Sequence, residues 1–258
     1  MSAPLSLTIS TSTGDVPLTA DERGSGRPII ILHGGAGPVS VTGFADLLAE
    51  ATNTRVIVPT HPGFGGTPRP EGLSSIPDLA EVYAGLLVEL DLDDVGVIGN
   101  SIGGWIASEL ALRYPTRLGR VALVDSVGIE VEGHPVAAAL PPAELARYSW
   151  YDPSKAPSLD PATLPPALAQ ILAGNRAALA LYGESMTDST LLGRLSGIEV
   201  RTLVLWGEAD RVVDTDYGRA FAAAIPGSRF ELLARTGHVP QMETPDVLLD
   251  ALRDFMTA

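Results

Sequence analysis

Apolar residues along the chain follow two rhythms. Short runs dense in Val, Ile and Leu have the length and β-branched content of strands buried on both faces. They are PIIILHG at 28–34, RVIVPTH at 55–61, VGVIGNS at 95–101, RVALVD at 120–125, RTLVLWG at 201–207 and RFELLA at 229–234. Two alternating segments near 5–11 and 16–22 read as an N-terminal hairpin, bringing the count to about eight strands. Between the runs, apolar positions recur at helical spacing near 40–52, 76–90, 102–114, 215–225 and 245–257. Ser75 with Asp78 three residues on, and Thr244 followed by Pro245, are start signals for two of these helices. Strands alternating with helices predict an α/β fold, an eight-stranded, mostly parallel sheet flanked by helices.

The alternation stops between about 128 and 196, where no strand pattern occurs. This stretch is rich in Pro and Ala, with PP pairs at 141–142 and 165–166 and helical fragments at 143–149 and 166–182. Structureless loops beyond about 15 residues are uncommon in compact domains, so the stretch is expected to be a small helical cap. The division is then a core of 1–127 and 197–258 with a cap of 128–196. Trp150, Tyr151, Tyr182 and Met186 of the cap either line an apolar pocket or pack its core.

Composition narrows the chemistry. At 258 residues and 45% hydrophobic content, the chain has enough apolar surface for one large α/β domain. A net charge of −14 repels nucleic-acid phosphates and anionic membranes, so neither is an expected partner, and a small-molecule substrate is. With no cysteine, disulfides, thiolate metal sites and a cysteine nucleophile are excluded. No metal or other cofactor is expected. The opening MSAPLSLTIS lacks a basic n-region and an apolar h-region, and no apolar run reaches the roughly 18 residues of a membrane span. A cytoplasmic location is the expectation; the oligomeric state is left open by the sequence.

The most informative segment is VGVIGNSIGGWIASELALRYP, a β-branched strand running through Gly99-Asn100-Ser101-Ile102-Gly103 into a helix. This is the nucleophile-elbow pattern, a sharp strand-to-helix turn that presents a serine in strained backbone geometry and needs small residues on either side of it. Ser101 is therefore the candidate nucleophile, at a helix N-terminus where the dipole and the Ile102 N–H stabilise developing negative charge. A second glycine loop, His33-Gly34-Gly35-Ala36-Gly37, follows an apolar strand and offers the other oxyanion donor, from Gly35 or Ala36, with Gly35 preferred. Gly34 and Ala36 are expected to lie against bound substrate. Of the four histidines, His33, His61, His134 and His238, only the last follows the final strand at the carboxyl edge of the sheet, which makes it the candidate base. Asp210, at the end of another strand and between nucleophile and base in chain order, is the candidate acid. Asp125, closing RVALVD, is its rival. Trp105, one turn after Ser101, either packs beneath the elbow or touches substrate.

With these residues placed, the chain resembles the α/β-hydrolase superfamily from about residue 20 to the end. HGG at 33–35, PGFGG at 62–66, GNSIGG at 99–104, WGEAD at 206–210 and GHVPQMETP at 237–245 occur in the family's order. HGGAGP, PGFG, GNSIGG and DSVGIE together are similar to the branch of meta-cleavage-product (carbon–carbon bond) hydrolases and related esterases. The resemblance implies an α/β-hydrolase fold and acyl transfer by Ser101, His238 and Asp210. It also implies that Asn100, before the nucleophile, and a cap arginine, Arg176, grip substrate in the carbon–carbon branch. Where that branch carries tryptophan after its histidine, this chain has Val239, also expected beside the substrate. Ester hydrolysis is the first expectation, carbon–carbon hydrolysis of a dienoate the second, and a ligand receptor retaining the triad the third. A serine at the elbow argues against dehalogenase and epoxide-hydrolase chemistry.

Overall fold

The computed structural model describes residues 4–137, 140, 142–157 and 164–258. Strands β1 (Leu5–Thr11) and β2 (Gly14–Arg23) form the antiparallel hairpin, followed by β3 (Pro28–Leu32), α1 (Val39–Thr52), β4 (Arg55–Pro59), α2 (Ile76–Glu89), β5 (Val95–Asn100), α3 (Ile102–Arg113) and β6 (Leu118–Val124). Three helices come next, α4 (Pro142–Ser149), α5 (Pro166–Tyr182) and α6 (Leu191–Arg194). The chain then returns to the sheet with β7 (Arg201–Gly207), α7 (Thr215–Ala224), β8 (Arg229–Leu233), α8 (Pro240–Glu243) and α9 (Pro245–Thr257). The order across the eight-stranded sheet is β1-β2-β4-β3-β5-β6-β7-β8. β2 runs antiparallel to β4, and every pairing from β4 to β8 is parallel.

Both faces of the sheet are covered, which is why its central strands are continuously apolar rather than alternating. In β3, Ile29 and Ile31 join Phe44 and Leu48 of α1 and Leu248 and Leu252 of α9. Ile30 and Leu32 point the other way, to a layer with Tyr83 of α2, Ile106 of α3 and Phe221 of α7. Helix α3 is buried from Ile102 to Ala111, and the charge within that stretch, Glu109, is paired with Arg113 at 2.7 Å and Arg194 at 2.6 Å. Among the described residues no helix is long and apolar enough to cross a membrane.

Local signals operate unevenly. Ser75 and Asp78 form the capping box that their spacing predicts, Asp78 N–H donating to Ser75 Oγ at 3.3 Å and Ser75 N–H to Asp78 Oδ2 at 2.9 Å. Pro245 does open α9, but the Thr244 hydroxyl makes no cap bond and instead pairs with Thr236 Oγ1 at 2.8 Å. β3 and β4 end at Leu32 and Pro59, two residues earlier than the apolar runs suggest, because His33 and His61 turn away from the ladder to build loops at the carboxyl edge.

Candidate active site

Ser101 sits between β5 and α3 with φ 55° and ψ −119°, a conformation that L-residues rarely adopt. The turn survives because its neighbours have no side chain. A Cβ on Gly103 would lie 2.1 Å from the Leu32 carbonyl oxygen, and one on Gly99 would lie 2.3 Å from the Gly103 oxygen. The Ser101 N–H is anchored to the Val124 carbonyl at 3.0 Å, and its own carbonyl accepts from Gly104 N–H at 2.9 Å. Ile102 is the first residue of α3, where backbone N–H groups precede the helix's own bonding ladder.

The glycine loop after β3 closes over the elbow. A Cβ on Gly34 would stand 3.2 Å from Ser101 Cβ. The Gly34 carbonyl accepts from Gly37 N–H at 3.0 Å in a tight turn. Gly35 lies under Leu179 of α5, whose Cδ2 would be 2.7 Å from a Cβ there.

His238 and Asp210 meet at the ends of β8 and β7. The imidazole Nδ1 donates to Asp210 Oδ2 at 2.7 Å, with both side chains buried. The other carboxylate oxygen accepts from Val212 N–H at 2.7 Å and Val213 N–H at 3.1 Å, which fixes the orientation of the acid. Donation from Nδ1 to the carboxylate leaves Nε2 as the ring nitrogen able to accept. The His238 loop is tied to the elbow, since Asn100 Nδ2 donates to the His238 carbonyl at 3.2 Å.

Asp125 lies in the same cluster: single ligand atoms of Asp125, Asp210 and His238 fall within 4.8 Å of one another. The His238 Nδ1 and both Asp210 oxygens are engaged in hydrogen bonds. Asp125 has φ 46° and no solvent exposure. Its Oδ1 accepts from Gly207 N–H at 2.7 Å, while Oδ2 has no conventional partner. Burial, and then the negative charge of Asp210, push its carboxyl well above the usual carboxylate range.

The folded chain therefore keeps a proton on Asp125 at pH values where the unfolded chain has released it. Bound protons then exceed those of the unfolded state, and Asp125 subtracts stability progressively as pH rises above about 4. Asp125→Asn retains the Gly207 contact and a donor toward Asp210 without this cost. Its melting temperature, measured from pH 4 to pH 8, is expected to gain on the parent's toward the alkaline end. A constant difference across that range would show Asp125 to be ionised in the folded chain.

Other expected substrate contacts are redistributed. Asn100 faces inward, its Nδ2 donating to the Val124 and His238 carbonyls and its Oδ1 accepting from Gln241 Nε2 at 3.1 Å, so it braces the site rather than facing a ligand. Arg176 is solvent-exposed on α5, and the structure does not bring it to the site. Its neighbour Asn175 is the buried polar residue, accepting from Gly65 N–H at 2.8 Å and donating to the Ala36 carbonyl at 3.4 Å. Sequence reasoning passed over Asn175, although it shares a helical stripe with Ile171, Ala178 and Tyr182. Ala36 is exposed and Val239 half-buried. Trp105 is buried, its ring covering Gly128 and its Nε1 unpartnered. Trp150 is buried next to Ser149, whose carbonyl accepts the His238 N–H at 2.8 Å.

Residues 29–251 match the Alpha/beta hydrolase family, and the chain belongs to that family. Among its sequence relatives is the 2-hydroxy-6-oxo-2,4-heptadienoate hydrolase of Pseudomonas putida, 28% identical, with 95% of this chain and 94% of that protein aligned. Among solved structures, the bromoperoxidase of Bacillus anthracis superposes with a TM-score of 0.79 at 20% identity, covering 98% of this chain and 100% of that one. A point mutant of the meta-cleavage product hydrolase CumD superposes with a TM-score of 0.74 at 25% identity, covering 96% and 97%.

Proposed function

We propose that the protein is a serine hydrolase of small, uncharged carboxylic esters, with Ser101 as nucleophile, His238 as base and Asp210 as orienting acid. The observation that carries the reading is the 2.7 Å bond from His238 to Asp210 at the rim of a strained serine elbow. In the first half-reaction His238 Nε2 takes the Ser101 proton as Oγ attacks the carbonyl carbon, and the oxyanion rests on the Ile102 and Gly35 N–H groups. The imidazolium, steadied by Asp210, returns the proton to the departing alcohol. Water, deprotonated by His238, then releases the acid and restores Ser101. Residues 128–196 act as a cap, with Leu179 above Gly35 and Asn175 latched to the Ala36 carbonyl.

Carbon–carbon hydrolysis of a dienoate is the second reading, favoured by the printed activities of the Pseudomonas putida and CumD relatives. The ester reading stands first because Arg176 points to solvent and Asn100 is wholly engaged within the protein. That leaves neither residue to grip a dienoate carboxylate. The test is turnover of p-nitrophenyl acetate and butyrate beside a 2-hydroxy-6-oxo-dienoate. Faster ester cleavage, with fluorophosphonate labelling at Ser101, is the expected result. Dienoate cleavage outpacing both esters would favour the second reading, and no turnover with slow single labelling would favour a receptor.

A further inference from the structure

Three buried side chains take no part in the acyl-transfer steps, yet they line up beneath the glycine loop. His33, His61 and Tyr83 have no solvent exposure. The two imidazole rings stack with centroids 3.7 Å apart. His61 N–H donates to His33 Nε2 at 3.1 Å, His61 Nε2 meets the His33 carbonyl at 2.8 Å, and His61 Nδ1 meets the Tyr83 hydroxyl. At the other end, His33 Nδ1 meets the Gly34 carbonyl at 2.8 Å.

The backbone sets the direction of every one of these bonds. A peptide N–H only donates, so His33 Nε2 accepts and the proton of that ring sits on Nδ1, where it is given to the Gly34 carbonyl. A carbonyl only accepts, so His61 carries its proton on Nε2, and its Nδ1 accepts from the Tyr83 hydroxyl. No other neutral arrangement satisfies all four contacts. Burial favours neutrality in both rings, pulling His33 well below its usual value and His61 down to about 4.

The chain ends on a peptide that matters. Gly34 C=O and Gly35 N–H belong to one planar trans unit and point in opposite directions. Pinning the carbonyl with His33 Nδ1–H and Gly37 N–H therefore fixes where the Gly35 N–H is aimed, and a glycine–glycine peptide has little else to resist rotation. We propose that Tyr83 and His61 are positioning residues of the oxyanion hole, holding the Gly35 N–H toward the Ser101 adduct through His33 and the Gly34 carbonyl. This rests on the serine-hydrolase reading given above and extends it to two residues that never touch substrate.

The test compares Tyr83→Phe, His61→Leu and His61→Gln with the parent on p-nitrophenyl acetate, each kcat normalised by fluorophosphonate titration so that unfolded protein is not counted. Tyr83→Phe and His61→Leu are expected to lose about 10- to 100-fold in kcat, as a donor displaced but not deleted would, with KM changed less than about twofold. Affinity for a trifluoromethyl ketone, which forms the tetrahedral adduct, should fall by the same factor. His61→Gln, whose amide supplies both a donor and an acceptor, should recover most of the loss. Unchanged kcat and adduct affinity in Tyr83→Phe and His61→Leu, or equal losses in the Leu and Gln variants, would overturn the positioning role while leaving the hydrolase reading intact. A parent protein that neither turns over ester nor is labelled would overturn both.

Discussion

Ser101→Ala is expected to lower kcat for p-nitrophenyl acetate by about 10⁶-fold, the loss seen when a serine nucleophile is removed from a triad that acts as a unit. The remaining activity would come from the oxyanion donors and from binding, which by themselves still exceed the uncatalysed reaction. The same position carries a second expectation of opposite sign. At φ 55° and ψ −119° the residue occupies a region that glycine enters far more readily, and such strain costs about 1–3 kcal/mol. Ser101→Gly should therefore be as inactive as Ser101→Ala but more stable than the parent, by about 1 kcal/mol in denaturant unfolding. Full activity in Ser101→Ala would remove the nucleophile assignment. A glycine variant less stable than the parent would mean that the turn is not strained.

Asp210→Asn is expected to lower kcat near neutral pH by about 10⁴-fold, as in the serine-protease template. The surrounding backbone supplies the reason. Val212 and Val213 N–H groups hold Oδ1, so the asparagine oxygen must take that place, and its NH₂ must take the place of Oδ2. There it opposes His238 Nδ1–H, donor against donor, and the imidazole moves its proton to Nε2. A ring protonated at Nε2 no longer accepts from Ser101. Asp125→Asn should keep most of the activity, because Asp125 bonds Gly207 rather than His238. The reverse pattern, with Asp125→Asn inactive and Asp210→Asn unaffected, would transfer the acid role to Asp125.

Both carboxylates close adjacent strands, so chain order alone left them as rivals. The choice between them is a matter of which oxygen reaches an imidazole brought in from a third strand, and that distance has no trace in local pattern. The same holds for the cap face. Asn175 and Arg176 are consecutive residues of α5, and a helix turns about 100° between them, so packing against the glycine loop selects one and leaves the other in water. Asn100 is a third instance. A polar residue beside a nucleophile suggests substrate contact, but the convergence of the Val124 carbonyl, the His238 carbonyl and Gln241 around it supplies enough partners to engage it internally.

What was legible beforehand rests on short-range physics. All eight strands and the main helices followed from apolar runs and their period, because burial on two sheet faces or on one helix face writes itself directly into residue order. The elbow was legible for a related reason, since its glycines are demanded by backbone atoms only a few residues away, and the Leu32 carbonyl leaves no room for a Cβ at Gly103. Strand ends, the partner of His238, the inward residue of α5 and the hydrogen-bond chain from Tyr83 to Gly34 were settled only by the assembled fold. Each depends on groups far apart along the chain whose separation is set by how helices seat on the sheet, and a contact of that kind leaves no periodic signature in the residues that make it.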